Sequence, residues 1–187
     1  MGTLYSALLA SGMVALSSTQ TGTYLAQAAI ASSRASVSQF QEDYRDWRVA
    51  CFVVPERTEC TLQQHLVDER RHQNVLDIEL GAPDEGMLGG TLVLPLGIAI
   101  DRETSLQVDD SADRRVVNIQ TCLPVGCVAR LAFDCDFMAS LRRGAKLKVA
   151  GFAASGDGIP VTFTISLDGF PQALDRSLAL MASQSMR

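Results

Sequence analysis

From about residue 46 to residue 181 the spacing of apolar positions changes repeatedly, and each change predicts an element. Trp47, Val49, Cys51 and Val53 share one parity while Arg48 takes the other, the period-two pattern of a half-buried strand. Pro55-Glu56-Arg57-Thr58-Glu59 reads as a turn, and beyond it Cys60, Leu62 and Leu66 again share a parity. Further strands are expected at 74–80 and 90–94, separated by the turn-rich Gly81-Ala82-Pro83-Asp84-Glu85-Gly86, with Pro95 ending the second. Residues 97–101 and 105–109 read as a short hairpin about Arg102-Glu103-Thr104, and 109–115 as a polar connection. Val116 to Cys122 leads into the turn Leu123-Pro124-Val125-Gly126, and 128–133 alternates on its far side.

At Asp134 the period lengthens. Phe137, Met138 and Leu141 form a small apolar stripe with Asp134 and Asp136 at its start and Arg142, Arg143 and Gly144 at its end, which predicts a short helix. Alternation returns at 146–149 and is strict over 161–167, with Gly156-Asp157-Gly158 between them. Phe170, Ala173, Leu174, Leu178 and Met181 then recur at helical spacing, predicting a terminal helix over an edge or end of the sheet. About eight short strands with one internal and one C-terminal helix predict a mainly β fold. An antiparallel β-sandwich is the first choice and a partly open barrel the second.

Composition narrows the function more than the fold. The 187 residues, 47% of them apolar, fit one domain with an ordinary core. A net charge of −5 and only seven Phe, three Tyr and one Trp supply neither the basic footprint nor the stacking surface of a nucleic-acid binder.

Residues 1–28 carry no charged side chain, and 4–16 form an apolar run of signal-peptide length, too short to span a bilayer. Ala26-Gln27-Ala28, or alternatively Ala29-Ile30-Ala31, supplies small residues for cleavage, although no Lys or Arg precedes the apolar run. The expected organisation is a signal peptide at 1–28, a flexible Ala/Ser-rich lead-in at 29–45 and a single β-rich domain at 46–187, exported and without a transmembrane span in the mature chain. The plainer alternative is a disordered or surface-lying N-terminus on a cytosolic protein.

Five cysteines in an exported chain read as two disulfides and one thiol. Matching parities put Cys51 and Cys60 across a hairpin, and Cys122 and Cys127 flank a tight turn, so both pairs are local. Cys135 is left over between Asp134 and Asp136, whose charges disfavour a thiolate, and is expected to be buried or inert. A four-thiolate zinc site is the sharper alternative, but gaps of eight and four residues do not match compact knuckle spacings. A redox-active pair lacks the two-residue spacing of disulfide oxidoreductases.

The remaining chemistry is sparse. His65 and His72 stand at a spacing that puts them on opposite faces of a strand, so His65 reads as a solvated strand residue rather than a metal ligand. Asp109, Asp110 and Asp113 lack the glycine and glutamate of a calcium loop. Arg142, Arg143, Lys146 and Lys148 read as favourable charge at a helix C-terminus plus an exposed strand face. No catalytic, cofactor-binding or metal-binding residue is expected.

Trp47 followed by Cys51 and Cys60, the step Leu94-Pro95-Leu96-Gly97, Cys122 with Gly126-Cys127 ahead of a helix ending in Arg143-Gly144, and the ending Ser166-Leu167-Asp168-Gly169-Phe170 with Ala173-Leu174 form an ordered set. Together they resemble the invasion-associated locus B family of bacterial envelope proteins, over about 46–178. The resemblance implies a β-rich periplasmic or outer-membrane-associated protein, transfers the four paired cysteines as structure, and brings no catalytic residue or cofactor. The expected function is therefore non-enzymatic: binding to an unidentified protein or other envelope partner, or envelope association, with host-cell interaction in the family's name. A thiol- or metal-dependent envelope enzyme using Cys135 or the cysteine-rich turn is the alternative. Oligomerisation through uncovered sheet edges is a third.

Overall fold

A computed structural model describes residues 38–182 except 55, 56, 69, 71, 72 and 157; the expected signal peptide and His72 lie outside the described residues. The elements run β1 (Ser38–Tyr44), β2 (Trp47–Val54), β3 (Arg57–Asp68), β4 (Gln73–Asp84), β5 (Met87–Leu94), β6 (Thr104–Val108), β7 (Arg114–Val117), β8 (Ile119–Leu123), β9 (Gly126–Phe133), α1 (Cys135–Arg143), β10 (Lys146–Phe152), β11 (Pro160–Ser166) and α2 (Phe170–Ala182). The strands form two antiparallel sheets, one of seven in the order β1-β2-β3-β4-β5-β9-β8 and one of four in the order β11-β10-β6-β7. Neither sheet closes on itself among the described residues, so the architecture is a sandwich and not a barrel.

Register explains why one face of the large sheet is apolar. Cys51 pairs with Cys60, Leu62 with Leu80, Ile78 with Leu92, and Leu92 with Ala129. The inward positions of five strands therefore line up, and these side chains are buried in one core with Leu106, Val108, Leu147 and Val149 of the small sheet. Helix α2 buries Phe170, Ala173, Leu174 and Ser177, one helical face, and packs on β1 to β4. The Phe170 ring meets Trp47 edge-on at 5.1 Å between centroids. Trp47, Phe133, Phe137 and Phe170 are among the largest fully buried side chains, each worth roughly 1.5–3 kcal/mol over the exposed state.

Helix α1 starts where Asp134 caps it, its carboxylate accepting from the Phe137 backbone N–H at 2.8 Å. Arg142 and Arg143 lie in its last turn, and Arg142 pairs with Asp175 of α2.

Five expectations are corrected. The turn expected at 55–59 is shorter, because Arg57, Thr58 and Glu59 already belong to β3, in register with Val54, Val53 and Phe52 of β2. The lead-in was placed at 29–45, yet β1 occupies 38–44 and pairs along its length with β2. Its pattern was obscured because Glu42 sits between Phe40 and Tyr44 on the inward parity, its charge held by Arg176 of α2. The turn assigned to 81–86 narrows to Glu85-Gly86, with φ of 48° and 82°, because β4 continues through a bulge that accommodates Pro83.

Residues 97–101 do not pair with 105–109. Instead β6 lies between β7 and β10, and Ile98 bridges Ala153. The run expected as one strand into Cys122 is two: β7 belongs to the small sheet and β8 to the large one, with only Asn118 between them.

Candidate functional site

The outward parity of the large sheet builds a surface that no single segment reveals. Asp43, Arg48, Gln63, Glu79, Thr91 and Arg130 are successive register partners across six neighbouring strands, so they form one polar row running across the sheet. Arg48 Nε donates to Asp43 at 2.6 Å, Gln63 Nε2 to Glu79 at 3.0 Å, and Arg130 Nε to Gln120 on β8 at 3.2 Å. Thr91 is left between a carboxylate and a guanidinium.

Beside this row the side chains become small: Ala50 pairs with Thr61, and Gly89 with Ala132. The result is an open groove of about 660 Å³, floored by Gly81 and Gly89 and walled by Thr61, Glu79, Thr91 and Arg130 on one side and Met87 on the other. A smaller hollow of about 320 Å³ continues past Glu79 and Thr91 to His65 and Asp77.

The two consecutive glycines of β5 differ in meaning. A Cβ on Gly90 would lie 2.3 Å from the Glu79 carbonyl oxygen and 2.7 Å from Leu80 Cδ2, so packing demands glycine there. A Cβ on Gly89 would meet nothing within 4 Å, and its φ is not positive. An unforced glycine inside a strand weakens it, by roughly 0.5–1 kcal/mol relative to alanine, and leaves the backbone open to close approach.

His65 is exposed and meets Asp77 at 2.5 Å, so it is tied to a carboxylate rather than simply solvated. Asp109 accepts from the backbone N–H groups of Ala145 and Lys146, Asp110 from Lys148 and Asp113 from Arg115. These three carboxylates are thus divided among separate donors. Among the described residues no three His, Cys, Asp or Glu side chains are grouped as a metal site.

Cys51 and Cys60 form a buried disulfide with a Cα separation of 4.1 Å, and Cys122 and Cys127 form a second with 3.9 Å. Their sulfurs are bonded to each other, so they are not available as four zinc thiolates. Cys135, expected to be buried or inert, is free and exposed, so it is not buried. It is the first residue of α1, and its thiol donates to the Gly86 carbonyl oxygen at 3.3 Å, a partner that accepts a proton's hydrogen bond but cannot remove the proton. Next to it, the Phe137 N–H and then the Arg115 guanidinium hold the Asp134 carboxyl below the usual carboxylate range.

The groove was missed from sequence because it lies across strands rather than along one. Its available signals were the polar alternation Thr61, Gln63, His65 and the paired glycines 89 and 90.

An open, mixed-polarity sheet face on a doubly disulfide-stapled sandwich defines the class: a two-sheet antiparallel β-sandwich module. The family model described as Invasion associated locus B (IalB) protein matches residues 47–178. The chain belongs to that family. An invasion protein B homologue of Brucella abortus is 38% identical over 150 residues, covering 80% of this chain and 86% of the relative. Invasion protein B of Bartonella bacilliformis is 34% identical over 144 residues, covering 76% and 77%. The crystal structure of invasion associated protein B from Bartonella henselae is similar with a TM-score of 0.71 at 30% identity, over 75% of this chain and 96% of that one.

Proposed function

We propose that the protein is exported to the bacterial envelope, periplasmic or outer-membrane-associated, and acts there by binding a polar ligand along the outer face of its large sheet, without catalysing a reaction on it. The groove at Glu79, Thr91 and Arg130 carries this reading: it offers an acceptor, a hydroxyl and a cation in one row above a glycine that packing does not require. Two disulfides support the export half, because such bonds persist in oxidising compartments. The relatives' names speak of invasion, which brings host-cell ligands into the set to be tested.

Crosslinking in the native envelope, with Gly89→Phe as the blocked variant, tests the binding half. The expected result is a partner captured by the wild-type chain and lost from the variant; recovery of the same partner by both, or of the protein alone, overturns it. Cell fractionation tests the export half independently.

The exposure of Cys135 favours a second reading, a thiol-dependent enzyme. It requires that Cys135→Ser abolish an activity that the wild-type protein shows on an envelope extract.

A further inference from the structure

Three stretches lack any charged side chain: 94–100 (LPLGIAI), 122–128 (CLPVGCV) and 149–156 (VAGFAASG). The fold brings them to one end of the sandwich. Leu94 pairs with Cys127 and Leu123 with Gly126, which sets the stapled turn beside the loop that follows β5. That loop is joined to the one between β10 and β11 by the Ile98–Ala153 bridge. At this end Leu96, Ile100, Leu123, Val125 and Ile159 stand 60%, 65%, 48%, 78% and 59% exposed.

We propose that this end of the sandwich docks on a lipid surface, its aliphatic side chains entering the acyl region of a zwitterionic bilayer. Four observations select lipid over another protein. The exposed apolar side chains are Leu, Ile or Val spread over three connections, with no Trp or Tyr among them and with Arg102 set at the rim rather than at their centre. The backbone is prepared for a medium without water: Ala99 N–H donates to Phe152 O at 2.8 Å, Ala153 to Ile159 O at 2.8 Å and Ala154 to Gly97 O at 2.7 Å. The Cys122–Cys127 bond and the Ile98–Ala153 bridge hold the loops in place, so little ordering opposes insertion.

Charge supplies the fourth. Asp101, Arg102 and Glu103 follow the apolar loop directly, and the Arg102 guanidinium lies over the Phe152 ring at 5.1 Å, a rim position from which a cation reaches a headgroup phosphate. Asp157, in the third loop, lies outside the described residues. A net charge of −5 with one rim cation flanked by two acids matches zwitterionic rather than anionic headgroups. The docking rests on the export reading only for which bilayer the protein meets.

The test places a reporter at the tip. In the full chain, Val125→Trp is compared with Met87→Trp on the sheet face, on phosphatidylcholine vesicles with brominated acyl chains, against the wild-type signal of buried Trp47. Quenching of the V125W emission but not of M87W, with partitioning lowered at least about tenfold when Leu96, Leu123 and Val125 are all changed to Ser, is the expected result. Unchanged far-UV circular dichroism of each variant separates loss of docking from loss of fold. Bound protein without V125W quenching overturns the proposal, as does binding that requires anionic lipid and disappears in salt. A dimer in solution that the triple variant abolishes would assign the patch to a second copy instead. Vesicle docking by a protein that fractionates in the cytosol would defeat the export reading alone.

Discussion

Gln64 and Ser166 meet as two amides: the Gln64 side chain donates to the Ser166 carbonyl at 3.0 Å and accepts from the Ser166 N–H at 3.0 Å. Gln64 is buried on the inward face of β3, and Ser166 ends β11 on the edge of the small sheet. The same carbonyl receives the Trp47 indole N–H at 2.8 Å. Ser166 is in register with Lys146 of β10 on one side, and the Gln64 side chain thus completes its backbone pairing on the side where the sheet ends. Gln64→Leu leaves the part-buried Ser166 N–H without its acceptor and is expected to destabilise the fold by about 1–3 kcal/mol in urea titrations. Gln63→Leu, on the outward face, is expected to change stability by less than about 1 kcal/mol.

The glycines of β5 give a paired prediction. Gly90→Ala drives a methyl group into Glu79 and Leu80 and is expected to lower stability by about 1–3 kcal/mol. Gly89→Ala enters open space and should leave the thermal midpoint unchanged or slightly raised. If both substitutions damage the fold equally, Gly89 is structural and the groove loses its argument.

Acid should act partly through Glu42. Arg176 donates to both of its carboxylate oxygens at 2.7 and 2.8 Å, and with Tyr44 it lowers the carboxyl from 4.5 to about 2. A depressed native value means that the unfolded chain binds the proton first, so the stabilisation is complete above pH 4.5 and is lost as the pH falls towards 2. Arg176→Gln should shrink the stability difference from wild type as the pH falls through that window. A difference that stays constant from neutral to strongly acidic pH would show that the pair contributes through packing rather than charge.

Thiol chemistry should follow exposure. Cys135 is exposed and free, Cys122 is exposed within its disulfide, and Cys51 and Cys60 are both buried. Alkylation of the native protein should add one label, a mild reductant should then open Cys122–Cys127, and Cys51–Cys60 should open only with unfolding. Intact mass after timed quenching reads the order. Removing the buried pair by Cys51→Ala with Cys60→Ala is expected to lower stability by about 2–3 kcal/mol.

Parity along the chain was enough to place Cys51 opposite Cys60, and the change of period at Asp134 was enough to place α1, because both depend on residues close in sequence. The strand at 38–44 escaped notice because its inward Glu42 is matched by an arginine 134 positions later. The pairing of β6 is not legible locally because β10, its neighbour in the sheet, lies beyond three further strands and a helix. The groove was invisible for the same reason, since Glu79, Thr91 and Arg130 become a row only when three strands are in register. Exposure of Cys135 depended on where the β4–β5 turn stops, which no local pattern states.

The passage of the chain from one sheet to the other at Asn118 has a consequence for delivery. Strands β6 and β7 arrive midway through the large sheet, and β10 and β11, which complete the small sheet, arrive only afterwards. A chain emerging N-terminus first presents five paired strands with an uncovered apolar face until α2 has also emerged. Such late, non-local closure makes folding slow and the half-made protein sticky. Folding of this chain as it emerges therefore calls for a holding factor that keeps the incomplete sheet from pairing with its neighbours until α2 is available.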